Sequence, residues 1–245
     1  YSLAKNRTEL EGKNYSYLGR FLDVTKANLF FAQGVILVEG TTEQLLIPEF
    51  AKILGYNLTD YGISIISTNN LGFEHFVNIF KRKKAPHNKI PIAVITDADK
   101  RQKAAIDDYV AKIKDDNNRV ECFIGEQLYS DSDLKSDGKK KTTFEKIIFK
   151  NAPKLKELYI QAYNSLKSRT ENAVAKMDFE ILYDKIDSEK APIAQEVAQL
   201  LANKQNSEKL EIKKEIEDKL KYIKDTIVFV IPNTILNKTA ETTTE

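Results

Sequence analysis

The sequence predicts an α/β fold built on a parallel sheet, on three observations. Val35-Ile36-Leu37-Val38 and Ile92-Ala93-Val94-Ile95 are short, uninterrupted apolar runs rich in β-branched residues, as expected of strands buried on both faces. Stretches with apolar residues at helical spacing follow such runs. Strand-like and helix-like segments then alternate as far as Ile124, which implies right-handed βαβ units.

In chain order, residues 1–15 are polar, and Tyr17 to Phe31 predicts a helix beneath the sheet from Leu18, Phe21, Leu22, Val24, Leu29 and Phe30. After the first strand, Thr41 and Thr42 open a helix (Glu43, Leu45, Leu46, Phe50, Ile53, Leu54) that closes at Gly55. Ile63–Ser67 is the second strand, Asn69, Asn70 and Gly72 its loop, and Phe73–Arg82 the next helix. Pro86 breaks the chain before the third strand, Ile90–Thr96. A helix over about 102–114 and a strand at Val120–Ile124 complete a sheet of about four strands. Residues 125–141 read as a polar loop with a lysine cluster. Helical pattern then occupies 143–150, 153–168, 173–186, 189–202 and 207–224, and Thr226–Pro232 reads as a short extended piece.

The 245 residues suffice for a real core, and 42% hydrophobic against 30% charged residues describes an ordinary globular protein. A net charge of +2 gives weak global attraction to nucleic acid, so any such binding rests on local basic patches. The single cysteine, Cys122, excludes a disulfide framework and a zinc-thiolate cluster and fits a reducing cytoplasm. No apolar run approaches the roughly 20 residues of a membrane span, and no signal peptide is visible. The chain opens on Tyr1 and reads as a fragment of a longer polypeptide.

The chemistry concentrates in four acids. Glu39 follows the first strand, Glu43 sits in the first turn of the helix after it, and Asp97 and Asp99 follow the third strand. In a parallel sheet both strand ends open on one edge, where α/β sheets place their ligands. Four converging carboxylates repel one another unless something positive lies between them. Hard divalent cations take such clusters, and two ions can clamp both the attacking and the leaving oxygen of a phosphodiester. Singly, each acid reads as a solvated turn residue; together they point to a metal site. His75 and His87 read as surface or helix-face residues and Cys122 as a small buried hydrophobe. Lys81-Arg82-Lys83-Lys84 and Lys139-Lys140-Lys141 are candidates for phosphate contact, and each reads equally as a solvated face.

The segments ILVEGTTE (36–43) and AVITDADK (93–100) resemble the Toprim fold of topoisomerases, primases and some nucleases. The wider stretch from Phe21 to Lys100 is similar to the C-terminal Toprim region of overcoming-lysogenization-defect (OLD) family nucleases, among whose relatives are the anti-phage Gabija and retron-associated systems. The resemblance implies an organisation of 1–32 as a lead-in from an upstream ATPase region and 33–125 as the Toprim core. It continues with 126–142 as a polar loop, 143–236 as a helical extension completing the site and 237–245 as a disordered tail. It implies two Mg²⁺ or Mn²⁺ ions held by Glu39, Glu43, Asp97, Asp99 and the Thr143-Phe144-Glu145 element. Lys190 would neutralise charge at the scissile phosphate, and from the residues alone the run Lys139, Lys140 and Lys141, which leads into Thr143 and Glu145, is the candidate DNA contact. From the residues alone, Thr143 reads also as an N-cap, Glu145 as a first-turn acid favoured by the helix dipole, and Lys190 as a surface lysine. Ala191-Pro192 follows Lys190 where the family pattern has a glycine.

The expected function is therefore metal-dependent DNA cleavage in the cytoplasm. The resemblance further implies ATP acting only through the upstream ATPase domain, assembly as a homo-oligomer, and a possible defence-system partner. The alternatives are another Toprim chemistry, of topoisomerase or primase type, and a non-catalytic scaffold or sensor module. None of the 11 tyrosines lies in a context that marks a topoisomerase nucleophile.

Overall fold

A computed structural model describes residues 7–12, 28–68, 72–97, 103–125, 143–167, 183, 186 and 189–232. The sheet has four strands, β1 (Gly34–Val38), β2 (Ile63–Ser67), β3 (Ile92–Thr96) and β4 (Val120–Ile124), in the order β2-β1-β3-β4 and all parallel. They lie where the apolar runs place them. β1 starts one residue earlier than expected, at Gly34, and β3 two residues later, the latter because Pro91 has no N–H for the ladder.

The helices among the described residues are α1 (Thr41–Leu54), α2 (Glu74–Phe80), α3 (Lys103–Ile113), α4 (Phe144–Asn151), α5 (Pro153–Lys167), α6 (Lys190–Asn203), α7 (Asn206–Lys219) and α8 (Lys221–Val230). Helix α1 ends where a left-handed residue is needed: Gly55 has φ 98° and its N–H caps the last turn. Only 28–31 of the expected 17–31 helix is described, and Asn28–Phe30 there is a single 3₁₀ turn. The polar loop 126–142, most of the 173–186 helix, Asn69 and Asn70, and the 237–245 tail lie outside the described residues.

Period-two alternation in the strands divides the core. Ile36, Val38, Ala93 and Ile95 face one layer with α1 and residues of α4 to α8, whereas Val35, Leu37, Ile92 and Val94 face Leu29, α2 and Ile113 of α3. Both faces are thus covered, which is why β1 and β3 are buried at every position.

One expectation is corrected. Thr226–Pro232 is not a continuous extended piece: Thr226–Val230 is the second half of α8, laid across β1, β3 and β4. Its β-branched run mimics a strand, but the buried residues are Tyr222, Ile223, Thr226, Ile227 and Val230, a helical stripe against the sheet. Tertiary burial overrides local propensity here. The expected 207–224 helix is accordingly two, with the joint at Leu220.

Candidate functional site: an acid cleft at the sheet's carboxyl edge

The chain leaves β1 toward β2 on one side, and β3 pairs with β1 on the other, so the carboxyl ends of β1 and β3 flank a topological switch point. Glu39 follows β1 directly and Asp97 follows β3. The pairing of Leu37 with Val94, continued two residues, sets Glu39 beside Thr96. There the Glu39 carboxylate accepts hydrogen bonds from the Thr96 hydroxyl and, at 2.9 Å, from the Asp97 N–H. Thr68 closes the β1 end from the β2 side, its N–H and hydroxyl both donating to the Val38 carbonyl (2.9 and 3.2 Å).

Gly40 then starts α1. A Cβ on it would come within 3.2 Å of a Glu43 carboxylate oxygen, so the glycine leaves that side chain its place in the cleft. Glu43 is buried (6% exposed) in the first turn of α1, and Glu145 (3% exposed) in the first turn of α4. Thr143 caps α4 by accepting from the Lys146 N–H at 3.4 Å, and stacking of Phe50 on Phe144 ties α4 to α1. From α6, the Lys190 ammonium lies 3.4 Å from a Glu145 oxygen. Glu39, Gly40, Thr41, Thr42, Glu43, Asp97, Glu145, Lys190 and Ala191 line one cleft of about 240 Å³.

Four carboxylates and one lysine make this cleft electrostatically tense. Burial, with Glu145 and Glu39 close by, pushes the Glu43 carboxyl from 4.5 up to about 7 against the opposing pull of its own backbone N–H and Lys190. Burial and repulsion from Glu43, Glu39 and Glu145 push Asp97 well above the usual carboxylate range, although the Phe144 N–H favours its charged form. The amino-terminal ends of α1, α4 and α6 all reach this cleft, and each favours negative charge there.

The structure therefore brings together Glu39, Glu43, Asp97, Glu145 and Lys190. It places the Thr143 hydroxyl on the α4 backbone and not among the residues lining the cleft. Asp99, Lys139, Lys140 and Lys141 lie outside the described residues. His75 and His87 do not line the cleft. Two neighbours carried no local signal in the sequence. Tyr159 of α5 is fully buried, and its hydroxyl has no hydrogen-bond partner among the described residues; burial first, then nearby Glu145 and Glu43, hold it well above the usual phenol range. The Tyr183 ring has the Lys146 and Lys190 ammonium groups 4.4 and 5.4 Å from its centroid.

The donor set fits a hard divalent cation. Four of the groups lining the cleft are carboxylates, and two of these are driven toward protonation by burial and by the neighbouring acids. Among the described residues no three His, Cys, Asp or Glu side chains form a ready-made cage.

A parallel four-stranded sheet in this order, with acids after its first and third strands, is the arrangement of the Toprim class. Residues 30–99 match the family model described as overcoming lysogenization defect protein-like, TOPRIM domain. That stretch of the chain is thus similar to an OLD-like Toprim domain. Among solved structures it is similar to the C-terminal region of the Burkholderia pseudomallei OLD protein (21% identity, TM-score 0.51, covering 81% of this chain and 100% of that one). The C-terminal region of the Xanthomonas campestris pv. campestris OLD protein is similar too (20% identity, TM-score 0.50, 82% of this chain and 96% of that one). At these identities the likeness shows the fold. No curated protein matches the chain significantly. Among the described residues no helix is long and apolar enough to cross a membrane.

Proposed function

We propose that the cleft is the active site of a divalent-metal-dependent DNA endonuclease, the Toprim nuclease part of an OLD-family ATPase–nuclease acting in anti-phage defence. The supporting observation is the convergence of Glu39, Glu43, Asp97 and Glu145, from three separate stretches of the chain, on one cleft that also holds Lys190. Glu39, Glu43, Asp97 and Glu145 would hold the metal, with Asp99 assigned beside them from the sequence. A bound divalent ion supplies the positive charge that makes a water nucleophilic near neutral pH and stabilises the leaving oxygen.

The chain's own groups do the rest. Thr96 and the Asp97 N–H fix the Glu39 carboxylate so that its remaining lone pairs face the cleft. Thr143 caps α4 and so orients Glu145. Lys190 sets a cation beside the carboxylates, where charge builds on the phosphoryl oxygens in the transition state. Three helix amino termini favour a phosphate at the same place. The similar solved structures are C-terminal regions of OLD proteins, which supports an ATPase region upstream in the same polypeptide. Lys139–Lys141 are proposed to contact DNA, and assembly into homo-oligomers is proposed with them.

Supercoiled plasmid incubated with the chain and Mg²⁺ or Mn²⁺ tests this. Nicking or linearisation that EDTA and Asp97→Asn both remove is the expected result. Religated topoisomers would replace it with topoisomerase chemistry, and an intact plasmid even with the full-length polypeptide would replace it with a binding module.

A further inference from the structure

We propose that the loop 82–88, with Lys89 and Arg119 beside it, is a second nucleic-acid contact at the amino-terminal edge of the sheet. There Lys84, Lys89 and Arg119 grip the sugar–phosphate backbone of a duplex stretch outside the acid cleft. The class of partner rests on the nuclease reading of the cleft; the surface itself is separate from it. The fold divides the basic run that the sequence marks at 81–84. Lys81 is buried, and its ammonium donates to the Lys112 carbonyl at 2.8 Å, so it holds the end of α2 against α3. Lys83 lies 3.9 Å from the Glu9 carboxylate. Lys84 and Lys89 are exposed and carry no side-chain ion pair among the described residues. With a net charge of +2 for the whole chain, local cations of this kind are what attract a polyanion.

Hydrogen bonds fix how these segments meet. The side-chain oxygen of Asn118 accepts from the backbone N–H groups of Arg82 and Asn88, both at 3.0 Å, so one atom pinches the two ends of the loop. Arg119 comes next in the chain, and its guanidinium donates to the Lys89 carbonyl at 3.3 Å, a bond that uses one N–H of five. Arg119 is exposed and has φ 53°, a left-handed conformation that glycine or asparagine adopts more easily. The acids next to it are engaged: Asp115 accepts from the Asn118 N–H and side-chain NH₂, and Asp116 pairs with Lys114 at 3.5 Å. A pinned backbone leaves mainly side-chain ordering to oppose binding. Lys89 precedes β3 and Asp97 follows it. Five residues of strand span roughly 17 Å, so a phosphate at the acids does not touch the loop. The loop therefore holds a different stretch of duplex from the one in the cleft, by phosphate contacts that carry no sequence information.

The test is fluorescence anisotropy of the full chain with a labelled DNA duplex, in EDTA, over a salt series. Lys84→Gln combined with Lys89→Gln is expected to weaken binding about tenfold at low salt and to reduce the slope of log K against log salt by about 1.8, at about 0.9 per phosphate contact. Lys84→Arg with Lys89→Arg keeps binding, and a duplex of unrelated sequence gives the same values. Two exposed α7 lysines serve as charge control, Lys214→Gln with Lys219→Gln. The loss has the same fold in an Asp97→Asn background, as two separate sites require. The loop pair binding with the affinity and slope of the control would overturn the proposal, as would absence of binding by the unmodified chain. So would a loss that vanishes in the Asp97→Asn background. Polyglutamate competing as well as unlabelled duplex would replace the nucleic acid with an acidic protein. Loop-dependent binding without metal-dependent cleavage would sink the nuclease reading and leave this surface standing.

Discussion

At the amino-terminal edge of the sheet, Asn118 and Asn88 are as buried (2% and 3% exposed) as Glu145 and Glu43 at the carboxyl edge. The Asn118 side-chain oxygen accepts from the Arg82 and Asn88 backbone N–H groups, both at 3.0 Å, and its side-chain NH₂ donates to the Arg82 carbonyl and the Asp115 carboxylate. Asn88 in turn bonds the Ile90 carbonyl and N–H and the Asn118 carbonyl. Donors meet acceptors, and the node ties the loop before β3 to the turn before β4. The acid cleft sets acceptor against acceptor, and only Lys190 offers a side-chain cation among the residues lining it. Buried polarity that is satisfied holds a fold together. Buried polarity that is crowded and like-charged weakens it and belongs to sites that await a ligand.

Substitutions should move the two clusters in opposite directions. Asp97→Asn is expected to lower plasmid cleavage by 10³-fold or more, roughly 4 kcal/mol in the barrier, while leaving the far-ultraviolet circular dichroism spectrum unchanged. Asn118→Ala, which orphans several buried groups, is expected to cost about 3 kcal/mol of stability, with cleavage per folded molecule retained. Denaturant titration and an activity assay on the same preparation separate the two. A cleavage defect in Asn118→Ala matching that of Asp97→Asn would erase the distinction.

Smaller effects sharpen it. Glu43→Gln should stabilise the metal-free chain at pH 7.5 by about 1–3 kcal/mol, since it removes a carboxylate that folding forces against its neighbours. The pH dependence has the same origin. Glu43 and Asp97 have folded-state values above their unfolded ones, so the folded chain holds the extra protons. The Glu43 contribution is intact below about pH 4.5 and is lost as pH rises through about 7, and Asp97 acts in the same direction. In EDTA the melting temperature should therefore fall between pH 5.5 and 7.5, and the Glu43→Gln, Asp97→Asn double variant should show a flatter profile. The smallest expected effect is that of Tyr159→Phe, about 1 kcal/mol of added stability from deleting an unpartnered hydroxyl. A loss of stability there would mean that the hydroxyl has a bonding role in the folded chain.

How much of this was legible in the sequence differs between the clusters. β-branched apolar runs located all four strands, and Glu39 and Asp97 were visible because they end those runs. Glu43 followed from its place in the first turn of α1. Thr143 and Glu145 were matched only through family resemblance, since nothing local shows that α4 folds back over the sheet. Lys146, Tyr183 and Tyr159 carried no signal, because their neighbours come from segments far apart in the chain. The Asn118 node was equally invisible. An asparagine in a polar turn reads the same whether it faces water or joins two loops. Helix α8 misled for a related reason: Thr226-Ile227-Val228-Phe229-Val230 has strand propensity, and only its burial against β1, β3 and β4 makes it helical.

The most direct measurement is calorimetric titration of the chain with Mn²⁺ near pH 7.5, beside Asp97→Asn and Asn118→Ala. Saturable binding by the unmodified chain and by Asn118→Ala, lost in Asp97→Asn, is the expected result. Equal binding by all three, or none by the unmodified chain, would contradict the reading of the acid cleft as the metal centre.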